Sequence, residues 1–71
     1  MNIQPGIWRH FKGKEYDVLG VARHSETQEE LVVYRARYGT RELWVRPKAM
    51  FLESVEVDGV RRPRFEFIPP I

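Results

Sequence analysis

The strongest strand signal in the chain is the run Leu31-Val32-Val33-Tyr34-Arg35-Ala36-Arg37-Tyr38. β-branched and aromatic residues dominate this run, and such residues favour strands. Because successive side chains of a strand point to opposite faces, the even-numbered residues should share one face while Arg35 and Arg37 project from the other. A turn over residues 38–41 and a returning strand over residues 42–46 follow, so we expect a hairpin.

Two more strands precede this hairpin. The run Ile7-Trp8-Arg9-His10-Phe11 is rich in β-formers and lies between turn residues, Pro5-Gly6 on one side and Lys12-Gly13-Lys14 on the other. Residues 15–22 form the next strand, in which Gly20 indicates a bulge or a sharp bend. The polar residues 24–30 have no apolar period and are predicted to form a loop, with room for one capped helical turn.

The part of the chain after the hairpin contains a short helix and further strands. Pro47 suits the start of a helix, and good helix formers follow it, so one short helix is expected near residues 47–53. Val55 and Val57 resume the alternation of a strand before the turn dipeptide Asp58-Gly59. Pro63 limits the last piece to an edge strand or to a strand that starts at Arg64, and the tail 68–71 should be loosely held.

These elements predict a mostly β fold. We expect a small SH3-like barrel, or a strongly curled antiparallel sheet, of five to six short strands with one short helix near 47–53. A curled sheet that closes through a dimer is an alternative to a barrel closed within one chain. The 71 residues are few enough that we predict a single SH3-like domain over 1–71.

Composition narrows the class of protein. The chain has no cysteine, which excludes disulfides and thiolate zinc sites, and 42% of its residues are hydrophobic, which argues against disorder. Residues 1–34 carry a net charge of −1 and residues 35–71 a net charge of +3, so a polyanion-binding face is permitted. Neither a secretory signal nor the roughly 18 apolar residues of a membrane span is present, and we expect a cytoplasmic protein without membrane contact.

The chain resembles a known family over most of its length. The resemblance is carried by residues 5–13 (PGIWRHFKG), 16–27 (YDVLGVARHSET), 30–35 (ELVVYR), 43–47 (LWVRP), 50–53 (MFLE) and 64–65 (RF). The chain is thereby similar to the uncharacterised bacterial domain-of-unknown-function family sixteen fifty-three. This resemblance implies a small stand-alone protein, supports the SH3-like fold and a cytoplasmic setting, and implies no catalytic or binding residues.

Residues for catalysis or metal binding are sparse. The cluster Arg23-His24-Ser25-Glu26-Thr27 contains a base beside a nucleophile, but adjacent residues rarely meet in catalytic geometry, so a capped loop is favoured. A metal held by His10, His24 and Glu26 is the weaker alternative, since zinc takes three or four supported ligands. We therefore predict no enzyme, no cofactor and no metal site.

A binding surface is the strongest functional signal. Aromatic residues and arginines alternate along the predicted strands, and such surfaces stack bases and contact phosphates or anchor protein partners. The predicted ligand-binding residues are Trp8, Arg35, Arg37, Trp44 and Arg46. The predicted partner is RNA, single-stranded DNA or a protein segment, with a homodimerisation module as the alternative function; monomer and homodimer both stay open. For any one ring, however, a place in the core is the more common outcome.

Overall fold

The computed structural model of the protein describes residues 3–71. Met1 and Asn2, the start of the predicted single domain, lie outside the described residues. Seven strands and one helix follow in the order β1 (Gly6–His10), β2 (Glu15–Arg23), β3 (Glu30–Ala36), β4 (Leu43–Pro47), α1 (Lys48–Phe51), β5 (Ser54–Val57), β6 (Val60–Pro63) and β7 (Phe65–Phe67). The prediction of a mostly β fold with one short helix is confirmed.

Five strands form the main sheet, and all of its pairs are antiparallel. Their order is β4-β3-β2-β1-β7, so β4 and β7 are the edges and the sheet does not close into a barrel within the described residues. The predicted hairpin is β3–β4, with Tyr34 opposite Trp44. The predicted bulge is confirmed as well, because the β2–β3 register shifts between Val18 and Gly20.

The open sheet curls so that its far strands come into contact. In a flat sheet of this order, β3 and β7 would lie three strand spacings of about 4.8 Å apart, which is roughly 14 Å. The rings of Tyr34 on β3 and Phe65 on β7 nevertheless lie 5.8 Å apart, and the Arg46 guanidinium on β4 lies 5.6 Å from the Phe65 ring. Of the two predicted architectures, the curled sheet is the one observed.

The count of five to six strands was too low because the stretch 60–67 divides at Arg64. Residues before Arg64 form β6, which pairs with β5 in a separate two-stranded sheet, and residues after it form β7 at the edge of the main sheet. The turn between β5 and β6 is Asp58-Gly59, with both φ angles positive (51° and 78°) as a tight hairpin turn requires. Arg64, between β6 and β7, is held against Glu53, the residue before β5. Its backbone N–H donates to the Glu53 carbonyl, and its guanidinium pairs with the Glu53 carboxylate at 2.8 Å.

The core fills the concave side of the curled sheet. Helix α1 closes this side with Phe51, whose ring stacks on Phe65 with centroids 4.1 Å apart. The remaining buried hydrophobic residues come from the start of the chain and from the strands, and are Ile3, Trp8, Val18, Val32, Tyr34 and Ala36. No helix in the described part of the chain is long and apolar enough to span a membrane.

Candidate functional site

The structure separates the five predicted ligand-binding residues into three environments. Trp8 lies in the core, where its ring packs edge-on against Phe51 and Phe67 and its Nε1–H donates to the Gln4 carbonyl at 2.8 Å. It therefore presents no ring to a ligand. The ring belongs to the core because even-numbered residues of β1 pair with the inward-facing residues of β2.

Arg35 and Arg37 lie on the convex side of the sheet. Arg35 occupies an odd position of β3 and Arg37 directly follows the strand, in the phase opposite to the buried Tyr34 and Ala36. Arg37 is neutralised there, because its Nη1 pairs with the Asp17 Oδ1 at 2.8 Å. The two arginines are therefore not on the side that carries the exposed aromatic rings.

Trp44 and Arg46 lie on the concave side, next to Tyr34. In the register of β3 and β4, Trp44 is opposite Tyr34 and Arg46 is opposite Val32. Because β4 is an edge strand, no further strand of the described chain covers the outer side of Trp44, and the residue stays 48% exposed. The structure thus keeps these two predicted residues together.

Tyrosines that the predicted site did not include extend this surface. Tyr38 is 40% exposed and lines a shallow depression together with Trp44 and the turn between β3 and β4. Its hydroxyl lies 2.8 Å from the hydroxyl of Tyr16, and its ring lies 5.6 Å from the Tyr16 ring. We call the surface formed by Tyr16, Tyr34, Tyr38, Trp44 and Phe65 the aromatic face; Tyr34 and Phe65 form its buried floor.

Two cations without a carboxylate partner lie on the aromatic face. The Lys14 Nζ is 4.3 Å from the centroid of the Tyr38 ring, a cation–π contact. Arg46 lies over Phe65, and its Nε–H donates to the Tyr34 hydroxyl at 3.3 Å. The ion pairs within residues 3–71 involve neither Lys14 nor Arg46.

The charges that act on His10, whose ring lies against Phe65, are positive. Burial lowers the pKa of His10 below its ordinary value of 6.5, and the positive charges of Arg46, Arg64 and Lys12 lower it further. The imidazole is therefore favoured in its neutral form at neutral pH. Burial also raises the pKa of Tyr16 to about 12, together with the hydrogen bond to Tyr38, so this hydroxyl stays protonated. The aromatic face therefore holds cations and neutral hydroxyls, with Glu42 as the acid at the edge of the depression.

The histidines do not form a shared metal site. His10 ends β1 beside the first residues of β2 and His24 follows the last, so the eight residue steps of β2, at about 3.3 Å each, separate them by roughly 26 Å. The His24 Nδ1 accepts the backbone N–H groups of Glu26 and Thr27 and thereby shapes the loop between β2 and β3. Residues 3–71 contain no group of three or more His, Asp or Glu side chains placed to hold a metal ion.

Fold and surface together define a small, open, curled β-sheet domain with an exposed aromatic and cationic face. The chain belongs to the family described as protein of unknown function (DUF1653), whose family model matches residues 6–67. It is also similar to a crystal structure of a DUF1653 protein from Bordetella bronchiseptica, with a TM-score of 0.88 and 34% sequence identity over 97% of this chain and 91% of that one. A comparison with curated proteins gave no match.

Some residues of the aromatic face could be predicted from the sequence. Tyr38 continues the even-numbered face of β3, and Tyr16 alternates with Val18, so both were predictable neighbours of Tyr34. Lys14 lies just before β2, in phase with Tyr16 and Val18, and the β2–β3 register that pairs Tyr16 with Ala36 places it opposite Tyr38. Its contact with Tyr38 therefore depends on a pairing register, which alternation along one strand does not give.

Proposed function

We propose that this domain is a binding module for single-stranded nucleic acid and that it acts by binding rather than by catalysis. The observation that carries the proposal is the combination of exposed rings and cations: Tyr38 and Trp44 line one depression, and Lys14 and Arg46 lie on the same face with no carboxylate partner among residues 3–71. A cytoplasmic setting, which the sequence favours, brings such a module together with RNA.

The chemistry of the aromatic face matches the two parts of a single strand. Unpaired bases stack on aromatic rings whatever their sequence, and Trp44 offers a large ring that is half exposed. Phosphates bind cations. The Arg46 Nε–H donates to the Tyr34 hydroxyl, which leaves the two terminal nitrogens of the guanidinium for a phosphate. Glu42 repels phosphate, so we expect the backbone of the strand to lie on the side of Lys14 and Arg46.

A titration with labelled oligonucleotides tests the proposal. We expect fluorescence anisotropy to show binding of short RNA or DNA single strands of mixed sequence that weakens as salt rises, because bound phosphates release counterions. A preference for the RNA or the DNA arm identifies the natural strand. Absence of binding at low salt, or binding that is indifferent to salt, contradicts the proposal; the second result indicates an uncharged ligand such as a peptide.

A matched pair of arginine variants places the binding on the correct side of the sheet. Arg46→Gln and Arg35→Gln remove the same charge from neighbouring strands, one on the concave and one on the convex side. We expect Arg46→Gln to weaken binding several-fold and to reduce the salt slope by about 1, as loss of one phosphate contact does. Arg35→Gln should bind like the wild type. Equal losses in both variants would show that only net charge matters.

A further inference from the structure

The outer edge of β4 is a row of backbone groups that have no partners within residues 3–71. The Ala36 N–H donates to the Glu42 carbonyl at 3.0 Å, which sets the phase of the β3–β4 ladder. Because the two sides of a strand alternate, Leu43 and Val45 then direct their N–H and C=O groups away from β3. β4 ends the sheet, and no backbone hydrogen bond outside the strand ladders involves either residue within 3–71.

The side chains along this edge are apolar and exposed. Leu43 is 54% exposed and Val45 is 58% exposed, on either side of the half-exposed Trp44. Natural edge strands are usually protected by charges, prolines, bulges or extreme shortness, since an open apolar edge pairs with another strand. The opposite edge of the sheet meets that description, because β7 has only three residues. The β4 edge carries charges and a proline only at its ends, so its centre is unprotected.

We propose that β4 pairs with β4 of a second copy of this chain, antiparallel, about a two-fold axis through Trp44. This arrangement places Leu43 opposite Val45 of the second copy and Val45 opposite Leu43. Both outward-facing residues of each chain then exchange their N–H and C=O groups, and two curled sheets become one continuous sheet. The proposal rests on the edge of β4 and does not depend on what the aromatic face binds.

Charge complementarity favours a second copy over an unrelated strand. The sequence Glu42-Leu43-Trp44-Val45-Arg46 has opposite charges at equal distances from Trp44. In the proposed register Glu42 faces Arg46 of the second copy, on the concave side, and the contact occurs twice per dimer. Within residues 3–71 neither side chain is in an ion pair, and Thr40 is the protein donor to the Glu42 carboxylate.

Neighbouring registers are less favourable. A shift that centres the axis on Val45 sets Leu43 opposite Pro47, which has no N–H to donate. A shift that centres it on Leu43 sets Val45 opposite Arg41, whose N–H already donates to the Tyr38 carbonyl at 3.0 Å. The register centred on Trp44 is therefore the one in which every required donor is free. It also brings the two Trp44 rings side by side and joins the two aromatic faces.

Sedimentation velocity over a wide concentration series, with charge-swap variants of the full chain, tests this pairing. We expect the wild type to convert from monomer to dimer as concentration rises. Glu42→Arg and Arg46→Glu should each weaken the dimer by roughly tenfold, since each puts like charges opposite one another at two places. The double variant should restore it. Glu56→Arg, which makes the same charge change on β5, serves as the control and should dimerise like the wild type.

Two readouts keep the test independent of folding defects and of the proposed function. Amide exchange of Leu43 and Val45 in the unmodified chain should slow as concentration rises. The double variant should recover the dimer while its oligonucleotide affinity falls, because it puts a carboxylate at the position from which Arg46 lies over Phe65. A wild type that is monomeric throughout the series, or a double variant as weak as the singles, overturns the proposal.

Discussion

Phe51→Ala should lower the free energy of unfolding by about 3–5 kcal/mol, the usual cost of removing a large aromatic ring from a core. Phe51 has no exposed surface, stacks on Phe65 at 4.1 Å, and contacts the edges of Trp8 and Tyr34. The ring joins helix α1 to three strands of the curled sheet. Because a domain of this size has a total stability near the low end of roughly 5–15 kcal/mol, the variant should keep at most about 2 kcal/mol and be only marginally folded at room temperature.

Urea denaturation followed by circular dichroism measures this loss. Met50→Ala is the matched control, since Met50 precedes Phe51 in the same helix and is 44% exposed; its effect should stay within roughly 0.5 kcal/mol. If Phe51→Ala has no folded baseline, Phe51→Leu supplies a measurable intermediate loss. A Phe51→Ala protein as stable as the Met50→Ala protein would show that α1 does not close the core.

Trp44→Ala should weaken binding of a single-stranded oligonucleotide by about 5- to 150-fold, the equivalent of about 1–3 kcal/mol for the loss of one stacked base. The ring is the largest exposed aromatic surface on the aromatic face. Its removal should leave the fold intact, because about half of the residue is already in solvent and Trp44 is outside the cluster of core residues.

The matched control is Leu43→Ala on the same strand. Leu43 is next to Trp44 and is exposed to a similar degree, but its side chain points to the convex side of the sheet. Both variants alter the β4 edge, so only the loss from the aromatic face should differ between them in the anisotropy titration. Equal affinities of the two variants would contradict a stacking role for Trp44.

The local elements of the fold were predictable because their signals are local. The β-branched residues of β3, the glycine at the bulge of β2 and the Asp58-Gly59 turn each indicate a conformation without reference to the rest of the chain. Pro63 indicated a boundary near Arg64, but the pairing of the two pieces was not predictable in this way. It requires that β6 pair with β5 and β7 with β1, which are long-range choices that no local pattern contains.

The site was predictable in residue type but not in placement. Alternation correctly separates Arg35 from Tyr34, yet it does not say which strand ends the sheet. Strand order decides that Trp44, at an edge, is exposed while Trp8, between two paired strands, is buried. For this reason the sequence placed both tryptophans in one candidate site, and the structure keeps only Trp44 and Arg46 on the aromatic face.

The two tryptophans provide the most direct test of the claim that single-stranded nucleic acid binds the aromatic face. Each indole N–H gives a separate signal in a proton–nitrogen correlation spectrum; Trp8 donates to Gln4 inside the core, whereas Trp44 is half exposed on the aromatic face. When an unlabelled oligoribonucleotide is added, the Trp44 signal, assigned with Trp44→Phe, should shift progressively while the Trp8 signal stays in place. An unmoved Trp44 signal at an oligonucleotide concentration that saturates the anisotropy titration would contradict the account.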